Sequence, residues 1–411
     1  MRLGVYSDLV YRRDGETLSN NRAFIRFVTS LPPHVDEVVL FGRLHPEPGR
    51  SPYELPAERV RLVALPFYPR VTDVAGVVRA ARRSCALFAA ELERLDAVWI
   101  FGPHPLALAF AWIARRRGVP LFLGVRQDYP QYIAGRLPGP AWRWAVPAAR
   151  LLDRGFRRLA REAPTVALGA ELAERYRDGA PVLTTGFSLV RAHELRPPDE
   201  ALAVPWDGEL RLLTVSRLDP EKNPLLLPEV LAALRTRDPR WRLVVAGDGP
   251  LRAEFEARVA ELGLEDAVEL HGEVANGPEL WSLYRSCHAF LHVSHTEGLP
   301  QVLFEAQAAG LPLVATAVGG VPAAVGDAAL LVPSADAAAA ARAVERLAAE
   351  PELRRQLIEA GLQTANRETL EAQVARHAEF FRAGVASSRT TSLPRSSAST
   401  GPSVARAADC E

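Results

Sequence analysis

Short apolar runs ending in small or polar residues alternate along this chain with longer amphipathic segments, and this alternation constrains the fold more than any other property. It is the pattern of βα units and a mainly parallel sheet. In the first half the expected strands are Leu3–Tyr6, Glu37–Phe41, Ala97–Phe101, Leu121–Val125 and Val166–Leu168. In the second half they are Leu210–Val215, Arg242–Ala246, Val268–His271, Ala289–Val293 and Leu313–Thr316. Residues 191–208 are rich in proline and charge and carry no periodicity, so they read as a linker. A chain of 411 residues exceeds what one core supports, which gives two domains, 1–190 and 209–365. Alanine content predicts a helix from about Asp336 to Ala348, and further helical segments run from Pro351 to about Arg382. Residues 366–384 are assigned to a C-terminal helix. Beyond Gly384 large apolar residues almost vanish, and 385–411 are expected to be a disordered tail.

Charge and cysteine exclude several classes of function. Forty-nine basic residues balance forty-nine acidic ones, which argues against a nucleic-acid partner. Cys85, Cys287 and Cys410 stand at no metal-ligand spacing and form no disulfide framework, which suits a reducing compartment. Met1 to Asp8 is strand-like and lacks the apolar core of an export signal. The longest apolar stretch, Val98 to Ala114, is broken by Gly102, Pro103, His104 and Pro105, so it reads as strand, loop and helix start rather than a membrane span. The expectation is a soluble, cytoplasmic protein. Lys222 is the only lysine in the chain. Codon bias accounts for the arginines but leaves open why this lysine remains.

The second half carries the chemistry. Strand Leu210–Val215 runs into Ser216-Arg217-Leu218-Asp219-Pro220-Glu221-Lys222, placing two cations past the carboxyl end of a strand, where doubly wound sheets bind ligands. A diphosphate would satisfy both, and a surface salt-bridge loop is the alternative. Strand Ala289–Val293 leads into Ser294 to Glu305, with Pro300 suited to the first position of a helix whose free N–H groups face back to the strand ends, an anion site. Glu297 falls in the loop before that helix and Glu305 about one and a half turns into it, so the two can grip different hydroxyls of one ligand. Gly247-Asp248-Gly249 and Gly319-Gly320 form turns that let backbone approach a ligand closely. A dinucleotide fingerprint would need a third glycine where Arg252 stands, which weakens a dehydrogenase reading.

Together Ser216-Arg217 with Lys222, the Glu297 and Glu305 pair, and the Gly319-Gly320 turn resemble the family 4 glycosyltransferases over about Leu210 to Val325. The resemblance implies a GT-B fold, α/β with two Rossmann-like doubly wound domains facing each other across a cleft. It implies a metal-independent, hexosyltransferase-type enzyme that moves a sugar from a nucleotide diphosphate sugar with retention of configuration. The nucleotide sugar is a co-substrate, and no cofactor or metal is expected, since no Asp-x-Asp motif occurs. Residue by residue, the resemblance puts Arg217 and Lys222 on the diphosphate, the backbone of Gly298 and Leu299 beside it, Glu305 on the ribose and Glu297 on the transferred sugar. Gly319, Gly320 and, in the first domain, Gly15 join the donor site. It also implies that the final helix crosses back onto the first domain.

For His104, at the end of strand Ala97–Phe101, the resemblance implies a catalytic histidine facing the sugar, with helix capping as the alternative. Arg126 and Asp128 point toward the interdomain cleft or pair with each other. Residues 142–161 place Arg143, Arg150, Arg154, Arg157 and Arg161 on one helical stripe, with Trp144, Ala148, Leu151, Leu152 and Leu159 on or near the other side. Such a helix either lies on an anionic membrane, at the inner face, or packs its apolar side on its own domain, the commoner case. The acceptor stays open among a glycan, a lipid-linked molecule and a small molecule. A catalytically silent nucleotide-sugar-binding subunit and a sugar-nucleotide epimerase of the same fold are the competing readings.

Overall fold

In the computed structural model, which describes residues 1–68, 73–136 and 144–391, the strands fall into two sheets. The first holds β1 (Arg2–Asp14), β2 (Thr17–Asn20), β3 (Glu37–Leu44), β4 (Tyr53–Glu54), β5 (Val60–Leu65), β6 (Ala97–Gly102), β7 (Leu121–Val125), β8 (Thr165–Leu168) and β9 (Val182–Thr185). Its parallel strands run in the order β5-β3-β1-β6-β7-β8-β9. β1 outruns this sheet, and its end turns antiparallel to β2, which pairs in turn with β4. The second sheet holds β10 (Leu210–Val215), β11 (Trp241–Ala246), β12 (Val268–Gly272), β13 (Ala289–His292), β14 (Leu313–Thr316) and β15 (Ala329–Val332). All are parallel, in the order β12-β11-β10-β13-β14-β15. Each sheet grows one way from its first strand and then reverses, at β6 and at β13. Ligands of doubly wound sheets bind beyond the carboxyl ends of the strands at such a reversal, which singles out the ends of β1 and β6 in one domain and of β10 and β13 in the other.

Because helices cover both faces, the central strands are apolar throughout: β7, β13 and β14 are buried along their whole length. On one face of the first sheet Leu3, Val5, Trp99 and Phe101 share a core with Leu370, Val374, Phe381 and Val385 of the helix Leu370–Thr391. On the other face Tyr6, Val98 and Ile100 pack with Phe88 and Phe110. The last helix therefore leaves the second domain and completes the core of the first. The two places where the chain passes between domains lie side by side, with Leu370 N–H donating to Val190 O at 2.7 Å and Thr185 Oγ1 donating to Gln373 Oε1 at 2.9 Å.

Three expectations are corrected here. The final helix runs to Thr391, seven residues into the expected tail, because Val385 is still buried and Gly384 lies against Phe122 and Pro164; residues 392–411 lie outside the described residues. The expected linker contains a short helix, Pro198–Leu202, whose Ala201 packs on Ile358 and Leu362. The arginine-rich helix spans Ala145–Ala160 and docks through Ala145, Ala149, Phe156 and Ala160, with Trp144 63% and Leu151 68% exposed on the arginine side. Asp153 is buried on the docked face, accepting from Tyr176 Oη at 3.1 Å. Trp142 and Arg143 lie outside the described residues.

Candidate active site

The loop after β10 closes with a single 3-10 turn, Pro220–Lys222, ended by Asn223 at φ 52°. Asparagine tolerates this left-handed conformation where most side chains do not. The turn brings Lys222 Nζ to 2.5 Å from Glu297 Oε1, on the loop after β13. The two loops that flank the sheet's reversal thus meet through their opposite charges, and His295 N–H, donating to Glu221 O at 2.9 Å, ties their backbones as well.

Glu297, with its side chain 7% exposed, also accepts from Ser294 Oγ at 2.7 Å, and His292 Nε2 lies 3.1 Å from the same oxygen. Burial pushes its pKa up, but His292, the Lys222 ammonium and the Ser294 hydroxyl outweigh that and hold it at about 2. Glu305 differs. It lies in the helix Gln301–Ala308, buried, with Tyr284 Oη donating to Oε2 at 2.8 Å and Asn276 Nδ2 to Oε1 at 2.9 Å. Burial raises its pKa, and these two neutral donors only partly offset that. A carboxylate has about four lone-pair sites, so acceptor capacity for a diol remains. Asn276 in turn accepts from Arg26 Nη1 of the first domain at 2.6 Å, so this acid is linked across the cleft.

Several expected contacts are resolved differently. Pro300 is the N-cap, one residue before the helix, with extended ψ of 122°. Arg217, 66% exposed, is engaged by Asp219 and Glu221 of its own loop. The glycine turns meet backbone rather than open space: a Cβ on Gly319 would sit 1.9 Å from Glu297 O, and one on Gly320 1.9 Å from Gly298 O. Gly247 and Gly249 brace the loop after β10 in the same way, against Ser216 and Leu218. These glycines let a second loop hold the Glu297–Gly298 backbone in place. Gly15 occupies the exposed tip of the β1–β2 hairpin at φ 58°, with no contact to the other site residues.

At the reversal of the first sheet, His104 caps the helix Pro105–Arg116, its Nδ1 accepting from Leu106 N–H at 3.2 Å. Tyr6 Oη lies 3.1 Å from the same nitrogen, and Nε2 is 3.7 Å from Asp8 Oδ2. With Nδ1 accepting, the ring proton sits on Nε2. Burial lowers the imidazole pKa, with Asp8 opposing and Arg43 assisting, so the ring is a neutral donor near pH 7. Capping and presentation of Nε2–H to the cleft are therefore compatible. Arg126 and Asp128 do not pair: Arg126 donates to Ser7 Oγ at 3.0 Å and Asp128 is held by Arg175.

The sequence reading missed Ser294, His292, Asn276, Tyr284, Arg26, Tyr6 and Asp8. A histidine closing the wholly buried strand β13 was a signal for His292, since a polar group there needs a partner. Asn276 and Tyr284 stand 29 and 21 residues from Glu305 and left no local trace.

A family model described as "Glycosyl transferases group 1" matches residues 203–364. The chain is 33% identical over 297 residues to a D-inositol 3-phosphate glycosyltransferase of Thermomonospora curvata, covering 66% of this chain and 68% of that protein. With the protein of that name from Saccharomonospora viridis it is 34% identical over 240 residues, covering 56% and 52%. It thus spans about half to two thirds of the length of these curated relatives. Among solved structures it is similar to Anabaena HepE in complex with UDP, with a TM-score of 0.68 at 14% identity over 93% of this chain and 100% of that one. Sucrose-phosphate synthase from Thermosynechococcus elongatus gives a TM-score of 0.67 at 19% identity over 94% and 100%. At these identities the structural likeness is one of fold.

Proposed function

This chain belongs to the family 4 glycosyltransferases and has their GT-B fold, and we propose that it transfers a hexose from a uridine diphosphate sugar to a hydroxyl of its acceptor with retention of configuration. The observation that carries the reading is the meeting of Lys222 and Glu297 where the second sheet reverses. In this contact each charge neutralises the other. A nucleotide sugar replaces that bond on both sides, its phosphate taking the ammonium and its sugar hydroxyls taking the carboxylate. UDP is chosen because HepE of the same fold has been solved with UDP and with UDP-glucose.

In this reading the bond from the sugar's anomeric carbon to the β-phosphate oxygen breaks while the acceptor hydroxyl bonds to that carbon from the same face. The hydroxyl's proton passes to the departing phosphate. Lys222, Arg217 released from Asp219 and Glu221, and the backbone N–H groups of Gly298 and Leu299 stabilise the charge that develops there. One such preorganised donor typically lowers a barrier by about 3–4 kcal/mol, so no metal is required of the mechanism. Glu305 takes the ribose hydroxyls, and His104 Nε2–H faces the sugar from the first domain.

A peripheral contact with an anionic membrane belongs to the same reading, supported by Leu151 and Trp144 exposed beside Arg150, Arg154, Arg157 and Arg158. The test of the function is calorimetric titration with UDP and UDP-glucose, followed by proton NMR of the anomeric signal during turnover in EDTA. UDP binding with slow release of an α-configured product or of glucose is expected. Absence of UDP binding rejects the donor, binding without any turnover favours a silent subunit, and activity restored only by added magnesium or manganese rejects the metal-free leaving-group scheme.

A further inference from the structure

We infer that the first domain's wall of the cleft binds a phosphate group of the acceptor between Arg126 and Arg22, a deduction that rests on the transferase reading for the word acceptor but not for the anion site itself. Arg126 follows the last residue of β7 and reaches past β6 to Ser7, where β1 outruns its pairing with β6 after Tyr6, donating to its Oγ at 3.0 Å. Its guanidinium lies 4.5 Å from the Phe24 ring centroid and 5.1 Å from that of Phe101. It therefore stands at the carboxyl ends of β6 and β7 and of the parallel part of β1, in the crevice where such sheets bind ligands.

This arginine combines burial with the lack of an acid beside it. Elsewhere in the domain Arg43 pairs with Asp8, Arg61 with Glu37 and Glu91, and Arg175 with Asp128. Among the described residues no carboxylate forms an ion pair with Arg126 or Arg22, and Arg126 has one hydroxyl partner for its five N–H donors. A largely buried charge without a counter-ion is costly. Arg22 stands exposed two residues before Phe24, the ring against which Arg126 lies, and burial, and then the like charge of Arg22, lower the pKa of Arg126 to about 10. An isolated domain gains nothing from this arrangement, whereas a bound phosphate turns both terms favourable. The aromatic rings hold the guanidinium plane and leave its edge open to two phosphate oxygens, the geometry in which arginine surpasses lysine. Ser7, which accepts from Arg126, has its own O–H left to donate to a third oxygen. Asp8, the next residue along β1, lies 3.7 Å from His104, which puts the phosphate site beside the histidine of the first domain.

The test uses the full chain saturated with UDP, so that the donor loops are occupied. Inorganic phosphate and glycerol 3-phosphate are titrated at constant ionic strength into the wild type, Arg126→Gln and Arg22→Gln. Phosphate affinity should fall at least tenfold in Arg126→Gln and several-fold in Arg22→Gln, whose exposed side chain is dispensable for folding, with UDP affinity unchanged in both. A parallel arm uses vesicles of phosphatidylcholine with and without phosphatidylglycerol. Arg126-dependent binding of the soluble phosphates assigns the site to a small acceptor, and Arg126-dependent binding confined to the anionic vesicles assigns it to a lipid headgroup. Affinities equal among wild type and both variants with every probe overturn the inference. Failure of UDP to bind would instead remove the donor reading, and the comparison of the two arginine variants would still decide the anion site.

Discussion

The acids of the proposed donor site, Glu297 and Glu305, sit in unlike surroundings, and their titration should separate accordingly. Glu297 is held at about 2 by His292, Lys222 and Ser294 against the effect of burial, so it stays ionised throughout the working range. Glu305 is raised by burial. A ribose diol donates to an ionised carboxylate, so donor affinity requires Glu305 deprotonated. As pH falls through its raised pKa, UDP affinity should drop by up to tenfold per unit. Calorimetry from pH 8 to pH 5 measures this, and Glu305→Gln should bind weakly with that slope gone; a slope that persists in the variant assigns it to another group. Glu297→Gln should mainly lower kcat, leaving UDP affinity within a few-fold. At Lys222, 18% exposed and already 2.5 Å from Glu297 Oε1, charge alone is not the requirement. Lys222→Arg preserves charge but introduces a wide planar fork, and should lower donor affinity or turnover at least tenfold, about 1.4 kcal/mol. Wild-type kinetics in that variant would return the sole lysine to codon bias.

Among the elements, the final helix bears most directly on stability. Phe381 is fully buried against Trp99 and Phe122 of the first sheet, and a buried Phe→Ala typically costs about 3–5 kcal/mol. Phe381→Ala should lower the urea midpoint of the first domain's transition, although residue 381 lies more than 170 positions beyond the linker; a shift confined to the second domain would show that the helix is not part of the first core. The arginine-rich helix Ala145–Ala160 gives an independent prediction. Leu151→Asp should weaken sedimentation with phosphatidylglycerol vesicles while sparing UDP binding, and unchanged sedimentation would end the membrane reading.

Most strands read correctly from sequence are buried along most of their length, such as β7 and β14, whose apolar runs admit few other interpretations, and only the edge strand β12 was read despite its intermediate burial. The missed β5, β9 and β15 all stand at or near sheet edges, and their mixed burial dilutes the apolar signal. In the arginine-rich helix Trp144 and Leu151 were misplaced for a related reason: the docked face is made of alanines and Phe156, which leaves these two residues on the exposed side. Loops at strand ends announced the positions of Lys222, Glu297 and Glu305. Their partners could not be announced, because Arg26 and Asn276 meet only after two domains have folded.

At the scale of the whole molecule, the chain Arg26–Asn276–Glu305 connects the first domain to the acid proposed for the ribose. The positive charge of Arg26 favours the ionised form of Glu305. Arg26→Ala should therefore raise that pKa further and move the acid limb of UDP binding to higher pH, with affinity little changed at pH 8 and above. An unmoved limb would mean that the two domains do not communicate through this contact. The paired crossings of the chain have a mechanical consequence. Val190 and Leu370, hydrogen-bonded to each other, and Ala192 N–H, donating to Glu371 Oε2 at 3.0 Å, stitch the two passages into one seam along a single edge of the cleft. Two bodies sewn along one seam cannot slide past each other without tearing those bonds, but they can swing about it as covers swing about the spine of a book. Displacement then grows with distance from the spine, so such a swing opens the cleft widest on the edge opposite residues 190 and 370.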